Sequence, residues 1–71
     1  MTIAELSLSY AQTAAGLSAR ARELERAARA EPDPAARQAL LNRVRPIRAM
    51  YRDTRGVARY LANYYPRRTQ P

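Results

Sequence analysis

The sequence predicts an all-α fold, an antiparallel hairpin of two long helices with a coiled-coil-like seam, which we expect to self-associate into a helical bundle. Apolar residues recur every seven positions in two long segments, as they do along a helix that packs on a partner helix. The acidic and proline-rich run Glu31-Pro32-Asp33-Pro34 separates the two segments. A chain of 71 residues has room for one small domain. We expect a single hairpin over residues 1–65, with helices at 3–30 and 34–65, a turn at 31–33 and a flexible basic tail at 66–71.

The first predicted helix begins with a capping box. Thr2 is suited to accept a hydrogen bond at the N-cap, and Glu5 follows three residues later. Behind these residues, the heptad repeat of larger side chains predicts the face that packs on the second helix. Its members are Ile3, Tyr10, Leu17 and Leu24, with a companion row of Leu6, Thr13 and Ala27 and a flanking row of Ala14, Ala21 and Ala28.

The second predicted helix begins at the proline pair. Pro32 disfavours a helical conformation at Glu31, and Asp33 followed by Pro34 is typical of an N-cap and first helical position. Leu24 and Leu40 are equidistant from the turn, so we expect them at similar heights in a hairpin. Pro66 is expected to end the helix. The seam consists of Leu40, Ile47, Thr54 and Leu61, with a companion row of Val44, Met50, Tyr51, Val57, Ala58, Tyr64 and Tyr65.

Pro46 lies inside the second predicted helix. Its ring crowds the carbonyl of Asn42 and it has no N–H to donate, so a kink or a short break is expected near residues 43–46. One interpretation is that the kink lets a long helix curve around its partner. The other is that it divides the helix into a short arm and a longer arm that carries arginine.

The positive charge of the chain is concentrated in its second half. The net charge is +7, and all thirteen cations are arginine. Residues 1–33 carry four arginines against five carboxylates, whereas residues 34–71 carry nine against Asp53 alone. Five of these arginines follow one another at intervals of three and four, so they share one side of a helix and face away from the seam. This arginine stripe consists of Arg45, Arg48, Arg52, Arg55 and Arg59.

The arginine stripe has no partner within its own helix, because Asp53 has no arginine three or four residues away. On the first helix, by contrast, Arg20, Arg22, Arg26 and Arg29 alternate with Glu23 and Glu25 at pairing distance. An unpaired row of arginines can contact successive phosphates. Nucleic acid or a nucleoprotein complex is therefore the favoured ligand, although a stripe that only solvates the surface is the plain alternative. Arg67, Arg68 and Tyr60 extend the candidate site at the end of the helix.

A second candidate surface is the uncharged segment at residues 6–19 of the first helix. A solvated helix face is normally richer in charge, and small side chains allow another helix to approach. We expect a protein interface there, used either for self-association or for docking on a larger protein. Its predicted residues are Leu8, Ala11, Ala14, Ala15 and Ser18.

Several functional classes are disfavoured by composition. The chain has no cysteine, histidine or lysine, so the usual bases and nucleophiles and a thiolate metal site are missing, and an enzyme would have to work with tyrosine, serine, arginine and scattered carboxylates. We expect no enzymatic activity, cofactor, metal or small-molecule substrate. The N-terminus lacks the pattern of a signal peptide, no apolar run approaches the length of a membrane span, and the apolar side of the basic helix is needed to close the hairpin. A cytoplasmic protein that does not bind membranes is expected.

The segment DPAARQALLNRVRPIRAMYRDTRGVARYLANYY, residues 33–65, resembles the second half of small two-helix proteins encoded by phages and integrative elements of Firmicutes and related bacteria. The shared outline is an acidic-proline turn, alternating arginine and leucine, a proline within the helix and a final tyrosine pair. The resemblance implies a mobile-element context, in which small proteins handle nucleic acid, serve conjugation and excision, or block host defence, including anti-CRISPR inhibition. No functional residue is carried over from it.

These observations predict a small basic binding protein without catalytic activity. The favoured function is binding of a polyanion, nucleic acid or nucleoprotein, through the arginine stripe. The alternative is an adaptor or inhibitor of a larger protein, such as an anti-defence factor of a mobile element.

Overall fold

The computed structural model describes the backbone of residues 1–69 and the side chains of residues 1–63. It contains two helices, α1 (Ile3–Ala30) and α2 (Pro34–Thr69). They pack side by side in opposite directions and form a rod of 59 × 16 × 13 Å. The predicted all-α helical hairpin is confirmed, with the start of both helices and the end of α1 at the expected residues.

Helix α1 begins with the predicted capping box. The Oγ1 atom of Thr2 accepts a hydrogen bond from the backbone N–H of Glu5 at 3.0 Å, and Oε1 of Glu5 accepts one from the N–H of Thr2 at 3.1 Å. This reciprocal pair satisfies two backbone donors that a helix start otherwise leaves without partners.

The junction between the helices is fixed by short-range hydrogen bonds. Glu31 adopts an extended conformation at the C-cap of α1, and Oδ2 of Asp33 accepts a hydrogen bond from the N–H of Ala36 at 2.9 Å, as expected for the N-cap of α2. The Nε and Nη2 atoms of Arg37 donate to the carbonyl of Glu31 at 3.2 and 3.0 Å. Arg37 therefore places its positive charge at the negative end of the α1 dipole and stabilises the turn.

Helix α2 is longer than predicted. It continues through Pro66 to Thr69, so the expected end at residue 65 is wrong. A proline removes one hydrogen bond and crowds one carbonyl, which distorts a helix without having to end it. Residues 70–71 of the predicted tail lie outside the described chain. The helix is also continuous at Pro46, so a break there is wrong, while a bend of the helix axis stays a prediction.

The seam of the hairpin is made largely of alanine. The buried residues of the described chain are Ala14, Ala21, Leu24, Ala28, Val44 and Ala58. In α1 the alanines that were expected to flank the seam, Ala14, Ala21 and Ala28, therefore form its centre. The predicted companion residues Thr13 and Ala27 are exposed. In α2 the companion residues Met50 and Val57 are exposed as well. Alanine occupies the centre because a small side chain lets two helix backbones approach closely.

The larger side chains pack around this alanine row near the turn. Ala21, Leu24 and Val44 form one buried cluster, against which Leu40 and Ile47 pack. The expected proximity of Leu24 and Leu40 is confirmed. Farther from the turn, in the described part of the chain, the buried residues are Ala14 and Ala58. The buried side chains there are consequently small, while Leu6, Leu17 and Leu61 are only partly buried, and an open groove is left beside the seam.

Candidate functional site

The exposed part of the arginine stripe lies along one side of α2. Arg45, Arg52, Arg55 and Arg59 are exposed, whereas Arg48 is only partly exposed. From Arg45 to Arg59 the stripe extends for about 21 Å at 1.5 Å per residue. A row of this length with four accessible guanidinium groups is suited to a ligand that carries several anionic groups in line.

Arg48 is tied to the other helix, which corrects the expectation that the whole stripe faces outward. Its Nη2 and Nε atoms donate to the two carboxylate oxygens of Glu25, at 2.5 and 3.3 Å. The side chains remain 38% and 32% exposed, so this is a partly solvated ion pair between α1 and α2. Arg48 therefore helps to fix the two helices in register, and its charge is largely compensated.

The expected charge pairs within α1 do not form. In residues 1–63 no oppositely charged pair besides Arg48 and Glu25 comes within ion-pair distance. Glu25 faces α2 and pairs with Arg48 instead of Arg22. Arg22 is therefore exposed and does not form the expected ion pair with Glu25. The positive surface of the hairpin consequently extends from α2 onto α1.

A groove of about 560 Å³ lies between the helices in the half of the hairpin away from the turn. Most of its lining side chains are small, and Tyr51 and three arginines line it as well. No carboxylate is among its lining residues in the described range 1–63. They are Ser7, Ala11, Ala14, Ala15, Ser18 and Arg22 of α1, and Tyr51, Arg55, Ala58, Arg59 and Ala62 of α2.

Two contacts give the groove its shape. The hydroxyl of Ser7 donates to the backbone carbonyl of Ala58 at 3.1 Å and joins the helices at the groove floor. On the opposite wall, Cζ of Arg55 lies 5.9 Å from the ring centroid of Tyr51, a distance at which a cation and an aromatic face attract each other. This contact positions the guanidinium of Arg55 beside the groove.

The groove joins the two surfaces that the sequence suggests separately. Ala11, Ala15 and Ser18 of the predicted protein interface line one wall, and Arg55 and Arg59 of the arginine stripe stand at the other. The uncharged face of α1 and the cationic side of α2 are therefore neighbours on one side of the hairpin.

One of the predicted site residues is buried, and two others lie outside the groove. Ala14 is buried, so it offers little exposed surface of its own, although it is among the residues that line the groove. Leu8 is 60% exposed and Tyr60 is 65% exposed, and neither lines the groove. The side chains of Arg67 and Arg68 lie outside the described residues.

Sequence reasoning missed five of the residues that line the groove, Ser7 and Arg22 of α1 and Tyr51, Ala58 and Ala62 of α2. The spacing of Arg22 and Glu25 predicts a local ion pair, but the position of Arg22 four residues after Ser18 puts it on the same side of α1 as Ala11 and Ala15. Ser7 is seven residues before Ala14, so the heptad position indicated its place facing α2. A serine in that row was the available signal for a polar contact between the helices.

The described residues form neither a cluster of metal ligands nor a membrane-spanning helix. In residues 1–63, no group of three or more acidic side chains is placed to hold a metal ion. Neither helix, over the residues described, is long and apolar enough to cross a membrane. The chemistry that the site offers is a row of guanidinium groups next to a groove that is lined mostly by small, uncharged side chains and by three arginines.

No protein-family model, curated protein or solved structure matches this chain. The resemblance to two-helix proteins of mobile elements therefore stays a prediction, and a functional assignment rests on the geometry and charge of the site.

Proposed function

We propose that the protein acts by binding a polyanion, with the phosphate backbone of nucleic acid or of a nucleoprotein complex as its ligand, and has no catalytic role. The observation that carries the proposal is the charge balance of α2. Of the five arginines in the stripe, only Arg48 has a carboxylate at ion-pair distance among the described residues. Four adjacent cations on one exposed side repel one another, and a polyanion relieves that repulsion.

The dimensions of the stripe fit this ligand. One strand of a duplex carries a phosphate about every 3.4 Å along the axis, so the roughly 21 Å of the stripe covers the axial rise of about six phosphates, of which those on the near side of the duplex lie within reach. Arginine binds phosphate oxygens through two parallel donors. Contacts with phosphates fix the position of the protein on the nucleic-acid backbone but do not read the base sequence, so binding without sequence preference is expected.

Removal of two arginines from the stripe tests the proposal. Arg45 and Arg52 are exposed and do not line the groove, so their replacement by alanine leaves the hairpin contacts in place. Two lost phosphate contacts make the slope of log K against log salt shallower by about 1.8 for duplex DNA and about 1.4 for single strands.

The matched control is the double variant Arg20→Ala and Arg43→Ala, which removes the same charge from exposed positions outside the stripe. Fluorescence anisotropy with labelled random oligonucleotides measures both variants over a salt series. Equal slopes for the wild-type protein and the stripe variant would mean that the arginine stripe is only a solvated surface. If the stripe variant and the control lose the same amount of salt slope, the net charge of the protein accounts for binding and the position of the arginines does not.

A further inference from the structure

We infer that the groove binds an acidic amphipathic helix of a partner protein, a function separate from the contact of the stripe with a polyanion. The groove extends along α1 from Ser7 to Arg22, which is about 22 Å or four helical turns. A trough of this length, open along one side of two antiparallel helices, has the shape into which a third helix packs.

The walls of the groove allow close approach. Ala11, Ala15 and Ser18 on α1 face Ala58 and Ala62 on α2, and none of these side chains projects far from its helix. A third helix would place about one side chain per turn between the two walls. The hairpin itself has no large side chain that is fully buried among its described residues, so apolar side chains from a partner would add burial that the hairpin lacks.

The charge of the groove selects an acidic partner. Arg22 stands on the α1 wall, and Arg55 and Arg59 stand on the α2 wall, with no carboxylate among the described lining residues. A helix with an apolar stripe and carboxylates on both sides of it would face guanidinium groups along both of its edges. Arginine at such edges forms charge-assisted hydrogen bonds with carboxylates and is frequent among the residues that dominate binding energy.

A second copy of the chain fits the groove poorly. In a two-fold dimer the same surface patch meets itself, so Arg22, Arg55 and Arg59 would face the same three residues of the other copy. This arrangement brings like charges together without a compensating carboxylate from the described lining residues.

A nucleic-acid strand fits the groove poorly as well. Strand binding between protein walls depends on aromatic rings on which bases stack. Among the described side chains, residues 1–63, Tyr51 is the one aromatic residue that lines the groove. It is partly buried, and the guanidinium of Arg55 lies over its ring.

The test uses a fluorescent synthetic peptide of about 20 residues, long enough to form a helix, with leucine and alanine on one face and glutamate on both sides of it. A peptide of the same composition in scrambled order is the first control, and the same amphipathic peptide with lysine in place of glutamate is the second. We expect the acidic amphipathic peptide to bind at least tenfold more tightly than either control and to gain helical circular dichroism when it binds.

Two variants of the protein locate the binding site. Arg22→Glu reverses one charge at the groove edge, and Ala15→Leu places a larger side chain in the groove at an exposed position. Each is expected to weaken peptide binding at least tenfold. The matched controls, Arg26→Glu and Ala27→Leu, are exposed positions of α1 outside the groove and are expected to change it less than twofold. Far-UV circular dichroism shows that all four remain helical.

Three results would overturn the inference. The first is equal binding of the amphipathic and scrambled peptides, or peptide binding that Ala15→Leu leaves unchanged. The second is a loss of oligonucleotide binding in Ala15→Leu, which would assign the groove to a nucleic-acid strand. The third is a wild-type protein that sediments as a dimer at equilibrium and falls to the monomer mass in Ala15→Leu, which would assign the groove to a second copy. Because Arg45 and Arg52 lie outside the groove, their variant tests the polyanion proposal independently.

Discussion

Replacement of Glu25 by glutamine is expected to weaken the hairpin and to strengthen polyanion binding at the same time. The carboxylate of Glu25 accepts two hydrogen bonds from Arg48 across the helix interface. The amide of glutamine keeps the size of the side chain but loses the charge. Arg48 is then a fifth uncompensated cation in the stripe.

The loss of stability follows from the exposure of the pair. The side chains of Arg48 and Glu25 are 38% and 32% exposed, so solvent screens much of their attraction, and pairs of this kind contribute up to about 1 kcal/mol. For a domain of this size, 1 kcal/mol corresponds to a change of about 4–8 °C in the melting temperature. We expect Glu25→Gln to lower the free energy of unfolding by about 0.5–1 kcal/mol.

The gain in binding follows from the count of available arginines. One additional phosphate contact makes the salt slope steeper by about 0.9 for duplex DNA. The assay is fluorescence anisotropy with a random duplex over a salt series, and urea unfolding of the same samples followed by circular dichroism gives the stability.

Glu23→Gln is the matched control, because Glu23 is an exposed carboxylate of the same helix without an ion-pair partner among the described residues. It changes the net charge equally and is expected to leave both quantities nearly unchanged. The reasoning is refuted if Glu25→Gln is as stable as the wild-type protein and keeps its salt slope, or if Glu23→Gln shows the same two effects.

The packing of the hairpin gives two further predictions, both measured by urea unfolding. Leu24→Ala removes a buried side chain from the cluster near the turn and is expected to lower the free energy of unfolding by about 2–3 kcal/mol. Leu8→Ala, at an exposed position, is expected to lower it by no more than about 0.5 kcal/mol. Equal losses of stability in the two variants would contradict the packing of Leu24 in the seam. Gly16→Ala and Gly56→Ala are each expected to add about 0.5–1 kcal/mol of stability, because both glycines have helical, negative φ values and an added Cβ meets no atom within 4 Å. A loss of stability in either glycine variant would contradict that geometry.

The limits of the helices were largely predictable because they depend on local chemistry. Thr2 and Glu5 form a capping box from residues three positions apart, and Asp33 caps α2 through the N–H of Ala36. Interactions of this range are encoded in a few adjacent residues. The end of α2 was missed because the rule that a proline ends a helix is only a tendency, and Pro66 lies inside the helix.

The seam could be predicted only in part from the sequence, because a heptad repeat favours the larger side chains as the packing face even where a parallel row of alanines is the one that is buried. Leu24, Leu40 and Ile47 pack where expected, but Ala14, Ala21 and Ala28 occupy the centre. The heptad repeat contains both rows, and periodicity alone does not decide how far a helix is rotated about its axis. The rotation of α1 about its axis is decided by close packing of the two helices, which places the small alanine side chains at the interface.

The cross-helix ion pair could not be predicted for the same reason. Within α1, Arg22 and Arg29 are three and four residues from Glu25 and are as suitable by spacing as any partner. Arg48 becomes the partner because the rotation of α1 turns Glu25 toward α2. The groove depends on the same rotation, since it brings the uncharged face of α1 beside Arg55 and Arg59.

The most direct test of the polyanion proposal is the salt dependence of oligonucleotide binding by the unmodified protein. Four exposed arginines in the stripe predict a slope of log K against log salt of about −3.6 for a random duplex and about −2.8 for a random single strand. A slope shallower than about −1, or no binding at the lowest salt concentration, would contradict the proposal that the stripe binds a phosphate backbone.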